Sequence, residues 1–165
     1  MATVITVLLN IVRPDFAFFG QKDAQQTLIV KRLVRDLAFE TEIVILPTVR
    51  EESGLALSSR NAYLNEQEKR AGTVLYRALT RAKGMYQAGE RSGARLAEAV
   101  RSTVAGEPLA RLDYVSITDA DSLEQLEKLD DRVVLIALAV HFGETRLIDN
   151  IVLNRKKNGS SAANA

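Results

Sequence analysis

Apolar residues in the first fifty positions fall into short blocks divided by proline, glycine and charge. The block "ATVITVLLNIV" (2–12) is ambiguous. Its β-branched residues favour a strand, its length favours a helix, and Pro14 ends either one. The run "FAFF" (16–19) leads into Gly20 and reads as a strand covered on both faces of a parallel sheet. From Asp23 to about Leu37, the residues Leu28, Ile29, Leu33, Val34 and Leu37 follow helical spacing. Asp23 and Gln26 have the separation of a capping box at its start. "TEIVIL" (41–46) reads as the next strand. This order predicts the parallel units of an α/β fold.

Pro47 changes the pattern. The stretch "PTVREESGLALSSRNAYL" (47–64) has no sustained period and reads as a long connection, of a length usually tied to function or mobility. Asn65, with Glu68 three residues on, predicts a capped helix continuing through Met85. After Gly89 and Gly93 a further helix is expected over 94–104, then a strand over 112–120 and a short capped helix over 122–129. Strands over 132–142 and 145–153 meet at Gly143 as a hairpin. The division expected is 1–47, the last portion of a Rossmann-like sheet, and 48–154, a small α+β domain. A frayed tail over 155–165 completes it.

Composition narrows the function. The 165 residues carry 22 Lys+Arg against 21 Asp+Glu, a net charge of +1, which argues against non-specific binding to nucleic acid or anionic membranes. The N-terminal apolar run is well short of the ~20 residues that span a bilayer, and it lacks the flanks of a signal peptide. With no cysteine, thiol chemistry is excluded and a cytoplasmic location is expected. His141 is the single histidine, so no multi-histidine metal site can form within the chain.

Two stretches can carry chemistry. In "FFGQKDAQQ" (18–26) the strand end opens onto a helix N-terminus, whose free N–H groups and dipole favour an anion. Gly20 would let a ligand approach the backbone, Lys22 adds charge, Asp23 can accept from ribose hydroxyls, and Gln26 faces the same crevice. The alternative is a plain cap by Asp23 and Gln26 with Lys22 solvated. In "SGLALSSRN" (53–61), Ser58, Ser59 and Arg60 are donors matched to phosphate oxygens. The alternative there is an Asx- or Ser-type turn that starts the helix at 65.

The segments "VRPDFAFFGQKDAQQ", "PTVREESGLALSSRNAYL" and "GETRLIDN" together resemble the pantothenate synthetase (pantoate–β-alanine ligase) family, over roughly residues 2–153. "LALSSRN" resembles that family's version of the KMSKS loop of class I aminoacyl-tRNA synthetases, with Leu57 where methionine is common. The resemblance implies a nucleotidyltransferase-type Rossmann domain, a C-terminal lid domain and a homodimer. It also implies ATP and Mg²⁺ as cofactors and pantoate and β-alanine as substrates, joined through pantoyl adenylate with release of pyrophosphate and AMP. Lys22, Ser58, Ser59 and Arg60 would hold the phosphates and act in catalysis. Gly20 and Asp23 would contact ribose, Val49 and Leu57 would offer backbone groups to adenine, and Gln26 would bind pantoate.

The family also carries an upstream half with a HIGH-like histidine pair, which is absent here; His141 in "VHFGET" is read as an ordinary surface or core histidine. The expectation is therefore a later part of such a ligase, inactive alone. The competing readings are a non-catalytic nucleotide-binding fragment and an oligomerisation module.

Overall fold

The ambiguous N-terminal block is a helix, α1 (Ala2–Val12), in the computed structural model, which describes residues 1–154. Its polar residues bond along the helix rather than across a sheet: Thr6 Oγ1 donates to the Ala2 carbonyl (3.0 Å) and Asn10 Nδ2 to the Thr6 carbonyl (2.9 Å). Arg13 ends it in the left-handed region (φ 48°), its N–H donating to the Leu9 carbonyl, and Pro14 forbids continuation. Leu9 is buried, while Val4, Val7, Leu8, Ile11 and Val12 are exposed.

Strands β1 (Phe16–Gly20) and β2 (Glu42–Leu46) pair in parallel, Phe16 opposite Glu42 and Gly20 opposite Leu46. The crossover is helix α2 (Ala24–Asp36), which buries Thr27, Leu28 and Val30. Two expectations change here. No side-chain hydrogen bond caps α2 at Asp23, because the chain first makes a 3-10 turn, Gln21–Asp23, which displaces the capping geometry. Nor is "FAFF" covered on both faces: a two-stranded sheet with one crossover helix leaves Phe16 and Phe18 exposed, with Ala17 and Phe19 half-buried.

The connection from 47 to 64 is tied by its own backbone. Glu51 N–H donates to the Leu55 carbonyl and Leu57 N–H to the Val49 carbonyl (both 2.9 Å), around a turn that places Gly54 at φ 90°. A second 3-10 turn, Ser59–Tyr63, leads into α3 (Glu66–Gly72). The capping box there forms: Asn65 Oδ1 accepts from the Gln67 and Glu68 N–H groups, and Glu68 Oε2 from the Asn65 N–H, each at 2.9 Å. Helix α4 (Val74–Gln87) continues past Thr73, and α5 (Gly93–Ala105) starts with Ser92 Oγ accepting from the Arg95 N–H.

Strands β3 (Arg111–Asp119), β4 (Val134–Phe142) and β5 (Thr145–Leu153) form an antiparallel sheet in that order, with Gly143 at φ 53° in the β4–β5 turn. Alternate residues of β4 (Val134, Ile136, Leu138, Val140, Phe142) pack with Leu75, Leu79 and Ala82 of α4 and Leu96, Val100 and Val104 of α5. Leu135, Ala137 and Ala139 are buried too.

The helix expected over 122–129 is absent. Asp119 Oδ1 accepts from the Asp121 and Ser122 N–H groups (2.9 and 2.7 Å), and Leu126 N–H donates to the Ile117 carbonyl (2.9 Å). The segment thus takes its backbone partners from β3 rather than from itself. Its apolar spacing is used all the same, since Leu126 and Leu129 are buried. The tail expected over 155–165 lies outside the described residues.

Candidate functional site

Lys22 sits in the 3-10 turn at the carboxyl end of β1, the end at which α/β sheets open toward ligands. The turn is held by β5. Asn150 Nδ2 donates to the carbonyls of Gln21 (3.0 Å) and Lys22 (2.8 Å), and its Oδ1 accepts from Gln21 Nε2 (3.1 Å).

The preceding residue of β5 holds the second stretch. Asp149 accepts from the two terminal guanidinium nitrogens of Arg50, Nη1 and Nη2, at 2.6 and 2.9 Å, and from the Asn150 N–H at 2.8 Å. Arg50 also donates to the Gly54 carbonyl (3.1 Å) and lies over the Tyr76 ring, 4.1 Å from its centroid. The Asp149 side chain is 2% exposed and that of Arg50 16%. Desolvated bidentate pairs of this geometry fix orientation as well as adding energy.

These anchors bring Lys22 and Ser58 to one small cavity of about 10 Å³, lined also by Gly54, Leu55, Asn61 and Asp149. The volume admits roughly one water. Asn61 Oδ1 is buried there and accepts no hydrogen bond, although its Nδ2 donates to the Ala56 carbonyl (3.1 Å).

The other expected residues do not line this cavity. Gly20 is exposed, with nothing within 4 Å of where a Cβ would stand, so the space beside it is open. Ser59, Arg60 and Asp23 are exposed and Gln26 is half-buried. Ser58 Oγ accepts from the Arg60 N–H (3.3 Å) at the head of the second 3-10 turn, a serine turn, while the next helix is started separately by the Asn65 capping box. Among the described residues, no hydrogen bond or ion pair occupies the side chains of Lys22, Ser59 or Arg60. Val49 and Leu57 are both exposed and face each other through the Leu57 N–H···Val49 carbonyl bond.

His141 is half-buried near the end of β4, between Arg111 and Arg146 in the sheet register, and is not part of the cavity. Among the described residues, no group of three His, Cys, Asp or Glu side chains could hold a metal ion. Among those residues, too, no helix is long and apolar enough to cross a membrane.

Residue reasoning alone did not find Arg50, Asp149 and Asn150. One signal was readable: in "RLIDNIVL" an acid sits two residues from Leu147 and Ile151, on the face that packs into the core. A carboxylate at such a position needs a partner.

The profile of the Pantoate-beta-alanine ligase family matches residues 1–152. The chain is 53% identical over 153 residues to the pantothenate synthetase of Herpetosiphon aurantiacus, a match covering 93% of this chain and 55% of that protein. It is 54% identical to the one from Roseiflexus sp., again over 93% of this chain and 55% of the relative. The crystal structure of pantothenate synthetase from Thermus thermophilus superposes with a TM-score of 0.86 at 43% identity, covering 91% of this chain and 54% of that one. The Francisella tularensis pantoate-beta-alanine ligase, crystallised with beta-gamma ATP and beta-alanine, superposes with a TM-score of 0.63 at 32% identity, covering 92% and 48%. The chain thus spans about half the length of the relatives it matches. It belongs to the pantoate-beta-alanine ligase family.

Proposed function

We propose that this chain carries one side of an ATP site used to join pantoate to β-alanine, with Lys22, Ser58, Ser59 and Arg60 as the phosphate-binding groups. The observation that carries this reading is that Lys22 and Ser58, from separate stretches, come together around one water-sized cavity, outside which the phosphates would lie. Lys22, Ser59 and Arg60 also keep side chains unengaged by any acid among the described residues. A lysine left without a partner just before an uncapped helix start suits an anionic ligand.

In the reaction, a pantoate carboxylate oxygen attacks the α-phosphorus of ATP and pyrophosphate departs, leaving pantoyl adenylate. The β-alanine amine then attacks the acyl carbon, AMP departs and the amine loses its proton. Lys22 and Arg60 would offset charge developing on the phosphate oxygens, the kind of fixed electrostatic help worth ~3–4 kcal/mol per donor. Asp23 and the open backbone at Gly20 would receive the ribose, and Gln26 pantoate. For adenine, the Leu57 N–H is already spent on the Val49 carbonyl, which leaves the Val49 N–H and the Leu57 carbonyl to contact the base. Without a carboxylate cluster among the described residues, Mg²⁺ fits as an ion carried by the ATP phosphates and water.

We place the domain boundary at 47/48, with the cytoplasm as location and a homodimer as assembly. With one histidine, the chain cannot supply a histidine pair to the phosphates, so its own turnover is proposed to be negligible.

Calorimetry with Mg-ATP tests the site. The chain should bind, and Lys22→Ala should weaken binding at least tenfold, about 1.4 kcal/mol. Equal affinity in the variant would overturn the assignment of Lys22. An AMP-release rate near the ~10 s⁻¹ typical of enzymes would overturn the claim of negligible turnover.

A further inference from the structure

Strand β5 lies at the edge of its sheet, and its consecutive residues Asp149 and Asn150 project to opposite faces. Each is almost fully buried, 3% and 4% exposed, and each reaches a different loop of the proposed ATP site. Asp149 takes the Arg50 arm of the serine–arginine connection, while Asn150 takes the turn that carries Lys22.

The Asn150 side chain makes three hydrogen bonds in an arrangement few residues could copy. Both amide hydrogens go to backbone carbonyls, those of Gln21 and Lys22, and the amide oxygen receives Gln21 Nε2. Aspartate would set an oxygen against two carbonyl oxygens, and serine could serve one carbonyl at most. Nothing among the described residues holds the Lys22 side chain itself. The direction in which its ammonium leaves the backbone therefore depends on how firmly the turn is held.

We infer that Asn150 is a positioning residue for Lys22, and that the Asp149–Asn150 dipeptide sets the separation between Lys22 and the Ser58 hydroxyl by holding both loops to one strand. The inference rests on the ATP reading above and adds to it a residue that touches no ligand. The plainer role for Asn150 is to close the open edge of β5, and that role would have no preference for phosphate.

The experiment compares the full chain with Asn150→Ala, Lys22→Ala and the double variant, by amide hydrogen exchange and by calorimetry with Mg-ATP and with adenosine. Asn150→Ala should speed exchange at 21–24 at least tenfold and leave α4 unchanged, as a local opening does. It should weaken Mg-ATP about tenfold, the effect of losing one or two net hydrogen bonds, and weaken adenosine by less, since adenosine would meet this turn only through its ribose at Gly20 and Asp23. The double variant should bind Mg-ATP no more weakly than Lys22→Ala, because Asn150 acts through Lys22.

Unchanged exchange at 21–24, equal losses for Mg-ATP and adenosine, or additive losses in the double variant would each overturn the inference. Failure of the parent chain to bind Mg-ATP, or parental affinity in Lys22→Ala, would instead overturn the ATP reading. The exchange comparison still decides in that case whether Asn150 orders the Lys22 turn. If Asn150→Ala does not fold, Asn150→Ser, which keeps one donor, carries the same comparison with smaller expected changes.

Discussion

Replacing Asp149 by alanine should be among the costliest single changes outside the apolar core. The substitution leaves the Arg50 guanidinium, 16% exposed, without its counter-charge. Removing one partner of a buried pair typically costs ~3–5 kcal/mol, most of it the penalty on the charge left behind. Two contacts survive the change, the Gly54 carbonyl at 3.1 Å and the Tyr76 ring at 4.1 Å. A partly desolvated cation over an aromatic ring retains ~1–2 kcal/mol, so the lower end, ~3 kcal/mol, is expected. With a urea slope of ~2 kcal/mol/M, that is a fall of about 1.5 M in the midpoint. Arg50→Met should be at least as costly, since Asp149 is the more buried partner and would keep only the Asn150 N–H. The double variant Arg50→Met/Asp149→Ala removes both charges, and its loss should fall well short of the sum of the two single losses. Equilibrium urea unfolding of the four proteins decides it. A loss below about 1 kcal/mol for Asp149→Ala, the level of an exposed pair, or a double variant equal to the sum of the singles, would refute the reasoning.

Gly93→Ala should destabilise strongly, because its Cβ would meet the Leu126 carbonyl oxygen, a backbone atom that cannot swing aside; a melting temperature within about 2 °C of the parent would contradict this. The carboxyl of Asp119 is pushed up by burial, but the N–H groups of Ser122 and Asp121, the Ser122 hydroxyl and the Arg132 charge outweigh that and hold it below the ordinary 3.8. A depressed folded value stabilises fully above the unfolded one and is lost as pH falls through the folded one. Acid unfolding should therefore be less steep below about pH 4 in Asp119→Asn than in the parent, and identical slopes would contradict it. Val7, Leu8, Ile11, Phe16 and Phe18 are all exposed within the first eighteen residues, and exposed apolar surface of this kind favours association. Light scattering at high micromolar concentration should therefore show self-association through 1–47, and a strictly monomeric chain would contradict that.

The strands were legible where hydrophobicity and turn residues agreed. β4 announces itself as a continuous apolar run, and Gly143 marks its hairpin with β5. The capping box at Asn65 and Glu68 was equally readable, since it needs no partner beyond the next turn. The segment 122–129 misled because helical spacing of Leu126 and Leu129 can also arise when an extended segment drops two side chains into a core. What decides there is the bond from Leu126 to Ile117, a tertiary fact. At the site, Lys22 and Ser58 could be picked by residue type, but the strand that joins them could not. Asp149 and Asn150 are far from both stretches in the chain, and only the register of β5 brings them there.

The central claim is that Lys22 and the loop from Ser58 to Arg60 receive the phosphates of ATP. A crystal structure of the chain with a non-hydrolysable ATP analogue tests it most directly. Phosphate oxygens should lie within hydrogen-bond distance, ~2.7–3.2 Å, of Lys22 Nζ and of at least one donor among Ser58, Ser59 and Arg60. A triphosphate bound elsewhere on the chain, with both the lysine and the serine–arginine loop empty, would contradict it.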